Sequence, residues 1–256
     1  MPSCRVDLNA DLGESFGIYT LGDDASLLPS LTSANIAAGF HAGDPSIIRR
    51  TIRLANAQGV DVGVHPSFPD LMGFGRREIK MGHQDVEDAV LYQIASVGGV
   101  AAAEGVRIRH VKPHGALYNL AATDEGLAMA IASAVRAYDR GLLLFALPGS
   151  ALARAGLSAG LTVVREGFAD RAYQANGHLV PRHVFGSVIL DDAEAAAQAV
   201  NLALRSTVTA IDGSRVSLAI DSLCVHGDAP GAAVRAATVR QALRSAGVEV
   251  RSVSRG

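Results

Sequence analysis

Short apolar runs alternate with helix-periodic stretches along the whole chain, and this alternation constrains the fold more than any other feature. The strand-like runs are Val6–Asn9, Ala34–Ala37, Val62–His65, Arg109–Lys112, Leu142–Leu147, Thr162–Glu166 and Val216–Val225. Between them, Val86, Val90, Ile94, Val97 and Ala101 recur at helical spacing, and 128–138, 193–204 and 232–243 behave alike. Strand–helix alternation implies parallel strands joined by crossover helices. About seven strands in 256 residues predict an α/β fold, a single (β/α) barrel domain over 1–256 that is TIM-barrel-like, one strand short of the eight-stranded form. A doubly wound open sheet is the alternative. Asp44-Pro45 reads as an N-cap with a first-turn proline, and Asp228-Ala229-Pro230 as a looser version. The Asn176-Gly177 turn predicts a loop or hairpin excursion near 171–187.

Composition excludes several classes. Hydrophobic residues make up 49%, enough for a substantial core, and a net charge of −2 offers no footprint for nucleic acid or an anionic membrane. Two cysteines, Cys4 and Cys224, cannot build a disulfide framework. Neither a signal pattern nor an apolar run of membrane-spanning length is found, so a cytoplasmic protein is expected. P-loop, G-x-S-x-G, Cys-x-x-Cys and His-Glu-x-x-His patterns are missing. Cys224 lies inside the last expected strand and reads as core. Carboxylate and imidazole chemistry remain, as acid–base catalysis or around a divalent metal.

Parallel barrels carry their chemistry at the carboxyl ends of the strands. The expected ends hold Asp11 and Glu14, His41 and Asp44, His65, Lys112 and His114, then Glu166, Asp170 and Arg171, and finally His226 and Asp228. Four of eight histidines thus converge on one rim. A single histidine there would be weak evidence, since it could simply satisfy a structural hydrogen bond; Asp44 and Asp228 could be caps only, and Gly39, Gly43, Gly115 and Gly227 could merely permit turns. His83, His110, His178 and His183 lie off the rim pattern. His110, opposite Val111 on its strand, is expected to face the helices.

These loops resemble the LamB/YcsF family, the A subunits of bacterial 5-oxoprolinase. The likeness rests on 7–14, 33–44, His65-Pro66-Ser67-Phe68-Pro69-Asp70, Phe74-Gly75-Arg76, 110–119, 168–173, Leu179-Val180-Pro181-Arg182 and His226-Gly227-Asp228, in that order and over nearly the whole chain. Two departures stand out: many relatives carry cysteine where Ala38 stands, and often proline where Phe185 stands.

The resemblance implies a barrel related to the glycoside hydrolase and deacetylase barrels. It further implies one component that works with subunits B and C to cleave 5-oxo-L-proline to L-glutamate. ATP would be the co-substrate, with Mg2+ or another divalent metal, and a homo-oligomer, left open. On the shared rim, Asp11, His65, Lys112 and His114 are the expected catalytic set. His65 and His114 would transfer protons, and Lys112 or Arg171 would clamp a carboxylate or phosphate. Asn9, Glu14, His41, Glu166, Asp170, Arg171 and His226 are expected to bind substrate, and Asp11, His41 and His65 are the expected metal set. Two other readings stay open: a stand-alone metal-dependent deacetylase, and a non-catalytic substrate-binding subunit.

Overall fold

The computed structural model describes residues 4–228 and 231–255. Its centre is a closed barrel of seven parallel strands: β1 (Arg5–Leu12), β2 (Ser33–Ala37), β3 (Asp61–His65), β4 (His110–Val111), β5 (Leu143–Ala146), β6 (Thr162–Phe168) and, after a two-stranded hairpin, β9 (Ser222–Cys224). The last strand pairs with both β6 and β1, which closes the sheet and removes its edges, so the open doubly wound alternative does not apply. A short β10 (Glu249–Val250) adds to the first residues of β1.

Around the barrel lie α1 (Asp24–Leu27), α2 (Pro45–Ala57), α3 (His83–Ala103), α4 (Gly115–Leu120), α5 (Glu125–Tyr138), α6 (Ala151–Ser158), α7 (Asp192–Arg205) and α8 (Ala232–Ser245). Each long helix turns an apolar face inward; in α2 that face is Ile47, Ile48, Thr51, Ile52 and Ala55. It meets the outward face of the strands, where Leu8, Ala10, Leu12, Val62 and Val64 join one continuous core. Asp44 caps α2 by accepting from the Ser46 and Ile47 N–H groups, with Pro45 in the first turn. Of the Asp228-Ala229-Pro230 start, Ala229 and Pro230 lie outside the described residues. The α8 helix instead takes Gly231 as its N-cap, and Asp228 pairs with Arg76. No helix among the described residues is long and apolar enough to cross a membrane.

The expected strand Val216–Val225 is two elements. Its first part forms β8 (Arg215–Ser217), antiparallel to β7 (Thr207–Thr209) and outside the barrel. The chain then breaks at Asp221, whose carboxylate accepts from the backbone and guanidinium of Arg165, and only Ser222–Cys224 enters the barrel. A run of apolar residues cannot reveal this break, because both halves bury side chains.

The segment 171–188 leaves the barrel after β6 and returns on itself, with bridges Arg171–Val188 and Tyr173–Leu179 around the Gly177 turn, which has φ of 84°. Tyr173 anchors it: this fully buried side chain accepts from the Phe168 backbone N–H at 2.7 Å. Replacing it by phenylalanine leaves a buried N–H without an acceptor. Tyr173→Phe is therefore expected to lower stability by about 1–3 kcal/mol, seen as a reduced urea midpoint at unchanged slope. An unchanged midpoint would show that the tether contributes nothing.

Candidate functional site

The inward face of the barrel is polar, unlike the branched aliphatic layers that usually fill such a space. On β1, Asp7, Asn9 and Asp11 alternate with the outward Leu8 and Ala10, and all three are buried. Their partners form one chain of hydrogen bonds. His110 Nε2 meets Asn35 Oδ1 at 2.7 Å; Asn35 Nδ2 donates to Asn9 Oδ1 at 2.8 Å and to Asp11 Oδ1 at 2.9 Å. Asn9 Nδ2 donates in turn to Glu166 Oε1 at 3.1 Å and Ser222 Oγ at 2.8 Å, and Ser222 donates to Asp7. His110 thus faces the barrel interior, correcting the expectation that it faces the helices. Gly63 on the neighbouring strand makes room, since a Cβ there would lie 2.2 Å from the His110 ring. Glu166 lies within β6, below the rim.

At the top of this chain, Asp11 Oδ1 also accepts from Lys112 Nζ at 2.5 Å, and the ammonium lies 3.7 Å from Glu166 Oε1 and 3.3 Å from Cys224 Sγ. Burial pushes Asp11 upward, but His65 and Lys112 overcome it and hold the carboxyl well below its usual range. Burial likewise opposes the Lys112 charge, yet Asp11, Cys224 and Glu166 raise its pKa well above normal. Glu166 is pushed by burial to about 7 despite Lys112. The pair at the rim therefore stays charged. Burial pushes the Cys224 thiol well above its usual range.

Beside this pair three imidazoles pack together. His41 and His114 stack with centroids 3.9 Å apart, and His65 stands edge-on to His114 at 4.8 Å. The loop after β3 builds this arrangement. Phe74 adopts a positive φ of 55°, uncommon for a bulky residue, and its carbonyl accepts from His114 Nε2 at 2.8 Å. Gly75 follows at φ 64°, where a Cβ would come within 2.2 Å of Ser67 Oγ and 2.9 Å of the His41 Cβ. On the other side Pro113 interrupts β4, but the His114 N–H still reaches the Pro66 carbonyl at 2.8 Å and keeps His114 beside His65. His65 Nδ1 donates to the Lys112 carbonyl at 2.6 Å, and its Nε2 lies 3.3 Å from Asp11 Oδ2. Glu14 Oε1 completes the group, 3.3 Å from His41 Nε2 and 3.6 Å from His114 Nδ1.

The ligand atoms of Glu14, His41, His65 and His114 lie within 4.8 Å of one another, so this cluster could hold a metal ion. That set shares His41 and His65 with the expected one. It adds Glu14 and His114; Asp11, the third expected ligand, gives Oδ1 to Lys112 and Asn35 and turns Oδ2 toward His65 Nε2 at 3.3 Å.

The remaining expected residues divide. His226 receives support from Asp170, through its ring at 2.8 Å and its backbone N–H at 3.0 Å, and both flank the site. Arg171 is buried and braces the excursion by donating to the carbonyls of Ser187 and Val180, and it also lines the narrow cavity of the site. Arg182, which that excursion carries, and Arg76 were not singled out, although both stood in motif stretches. They line a narrow cavity of about 30 Å³ with Asp11, His65, Lys112, His114 and His226, room for about one water. A larger cavity of about 490 Å³ adjoins it, sharing Arg76, Tyr118 and Arg182.

Comparison with known proteins agrees with this fold. The LamB/YcsF family model matches residues 6–256. The chain is 52% identical over 249 residues to the 5-oxoprolinase A subunit of Symbiobacterium thermophilum, covering 97% of this chain and 95% of that protein. It is 51% identical to that of Tolumonas auensis, covering 97% and 99%. Among solved structures, a lactam utilization protein from Thermus thermophilus superposes with a TM-score of 0.92 at 49% identity, covering 96% of this chain and 99% of that one.

The interior chain generates a pH signature. Burial pushes His110 down to about 3, so the unfolded chain takes up a proton near pH 6.5 that the folded chain refuses. Its stabilisation is complete above pH 6.5 and declines as pH falls toward 3, by about 1.4 kcal/mol per unit. His110→Gln keeps a donor toward Asn35 and removes this slope. Urea melts from about pH 7 to about pH 4 should therefore show the variant losing less stability than wild type; parallel curves would contradict the assignment.

Proposed function

The chain belongs to the LamB/YcsF family, and from that premise we propose that it is the A subunit of a cytoplasmic ATP-dependent 5-oxoprolinase. With subunits B and C it would convert 5-oxo-L-proline, ATP and two waters to L-glutamate, ADP and phosphate. The observation that carries the reading is the buried Asp11–Lys112 pair set against a Glu–His cluster at the mouth of one barrel. The names of relatives of nearly the same length supply the substrate.

An unstrained lactam resists water because attack sacrifices amide resonance. Phosphorylation of the lactam oxygen by ATP removes that protection. Water then adds to the ring carbon, the C–N bond breaks with the nitrogen leaving as the amine, and a second water releases phosphate from the acyl phosphate. No P-loop stands in this chain, and ATP enters as the co-substrate of the complex.

The barrel's own side chains suit the hydrolytic steps. Lys112, Arg76 and Arg182 surround the cavities with positive charge for a carboxylate and a phosphoryl group. Asp11, held ionised, orients the attacking water, while Asp170 orients His226. The larger cavity admits the substrate, and the narrow one, with room for about one water, holds the attacking water beside its reacting end. Asn9 and Glu166 support these groups from below. His65 Nε2 and His114 Nδ1, the ring nitrogens not turned to the Lys112 and Phe74 carbonyls, meet at 2.9 Å, where a proton or a divalent cation can be received. When bound, such a cation would polarise an oxygen and lower the pKa of water.

A stand-alone metal-dependent deacetylase would instead hydrolyse acetylated substrates without ATP or partner subunits. A merely binding component would not require an ionised Asp11. The test is ATP-dependent glutamate formation by the reconstituted complex with this chain omitted, restored, or restored as Asp11→Asn. Omission should abolish product, wild type should restore it, and Asp11→Asn should fall at least about 100-fold short. Full turnover without the chain, or with the variant, would overturn the proposal.

A further inference from the structure

Two hydrogen bonds leave a contact in the cluster that neutral imidazoles cannot satisfy. His65 Nδ1 lies 2.6 Å from the Lys112 carbonyl, and His114 Nε2 lies 2.8 Å from the Phe74 carbonyl. A carbonyl only accepts, so each ring must carry its proton on that nitrogen. The remaining nitrogens, His65 Nε2 and His114 Nδ1, are then both lone-pair acceptors, yet they face each other at 2.9 Å. Glu14 Oε1, a third acceptor, stands 3.6 Å from the same His114 nitrogen, and His41 Nε2 approaches Glu14 at 3.3 Å. All four side chains are buried, so bulk water does not separate the lone pairs. Something electron-poor belongs among them.

We propose that Glu14, His41, His65 and His114 bind one late first-row divalent cation, of the Zn2+ kind and not Mg2+. Three imidazole nitrogens and one carboxylate oxygen form a borderline-soft, nitrogen-rich donor set, which suits zinc; magnesium prefers oxygen ligands. The carbonyl anchors on His65 and His114 are the outer-sphere supports that metal-bound histidines ordinarily have, fixing tautomer and ring plane. His41 lacks such an anchor, since its Nδ1 has no hydrogen-bond partner, so it contributes the least to affinity. A proton shared between His65 and His114 is the competing occupant.

This inference deepens the proposed lactam-opening site, yet its test stands apart from turnover. The isolated full-length chain, purified without chelator, should retain about one equivalent of zinc or a neighbouring metal by elemental analysis. Stripped protein should regain thermal stability with Zn2+ but not with Mg2+, and Co2+ should give the visible absorption of a nitrogen-ligated site. Glu14→Gln and His114→Gln should each lower Zn2+ affinity at least about tenfold, His41→Gln less, and the exposed His83→Ala not at all. If a Gln variant fails to fold, the Co2+ spectrum of the wild type still decides. A chain that binds neither Zn2+ nor Co2+, or is stabilised by Mg2+ alone, overturns the metal site while leaving the oxoprolinase reading to the omission experiment.

Discussion

The fold depends on a barrel interior that buries charge and amide groups in place of hydrocarbon. The inward polar groups find partners on other strands: Asn9 reaches Glu166 and Ser222, Asn35 reaches Asn9 and Asp11, and His110 reaches Asn35. A slip of one residue in any strand would turn its polar set toward the helices and bury unpaired groups, each costing about 1–3 kcal/mol. Register is thereby fixed by chemistry as well as by packing. The direction of every bond follows from one amide: with Asn9 Oδ1 accepting from Asn35, its nitrogen must donate to Glu166 and Ser222.

That interior delivers the rim. Asp11 is the last inward residue of β1 and shares one oxygen between Asn35 below and Lys112 above. A buried ion pair of this kind is seldom a source of net stability, because desolvating both charges offsets their attraction. Its value here is an ionised carboxylate and an ammonium held at the mouth of the barrel, next to a cluster of imidazoles. The loop after β3 supplies the complementary half, where the unusual backbone of Phe74 places a carbonyl against His114 and Gly75 lets the rings close up.

Much of this was legible in the sequence. Alternating apolar runs and helical periods predicted a seven-stranded barrel, and strand ends drew Asp11, His65, Lys112 and His114 to one place. What stayed hidden was side-chain direction and competition for partners. His110 reads as helix-facing until Gly63 is seen to leave it room. Val216–Val225 reads as one strand because the hairpin half also packs apolar groups. That Asp11 gives one oxygen to Lys112, far along the chain, no local pattern shows. Arg171 and Arg182 both stand in recognisable motifs, but only the carbonyls of Val180 and Ser187 reveal which one braces the loop.

The central claim is that the interior and the rim form one coupled network meeting at Asp11. The direct measurement is a double-mutant cycle on folding stability, with Asn35→Leu and Lys112→Met made singly and together. If Asp11 links them, the two costs fail to add by about 1 kcal/mol or more. Additivity within about 0.5 kcal/mol would mean that the barrel interior and the rim are independent, contrary to this account.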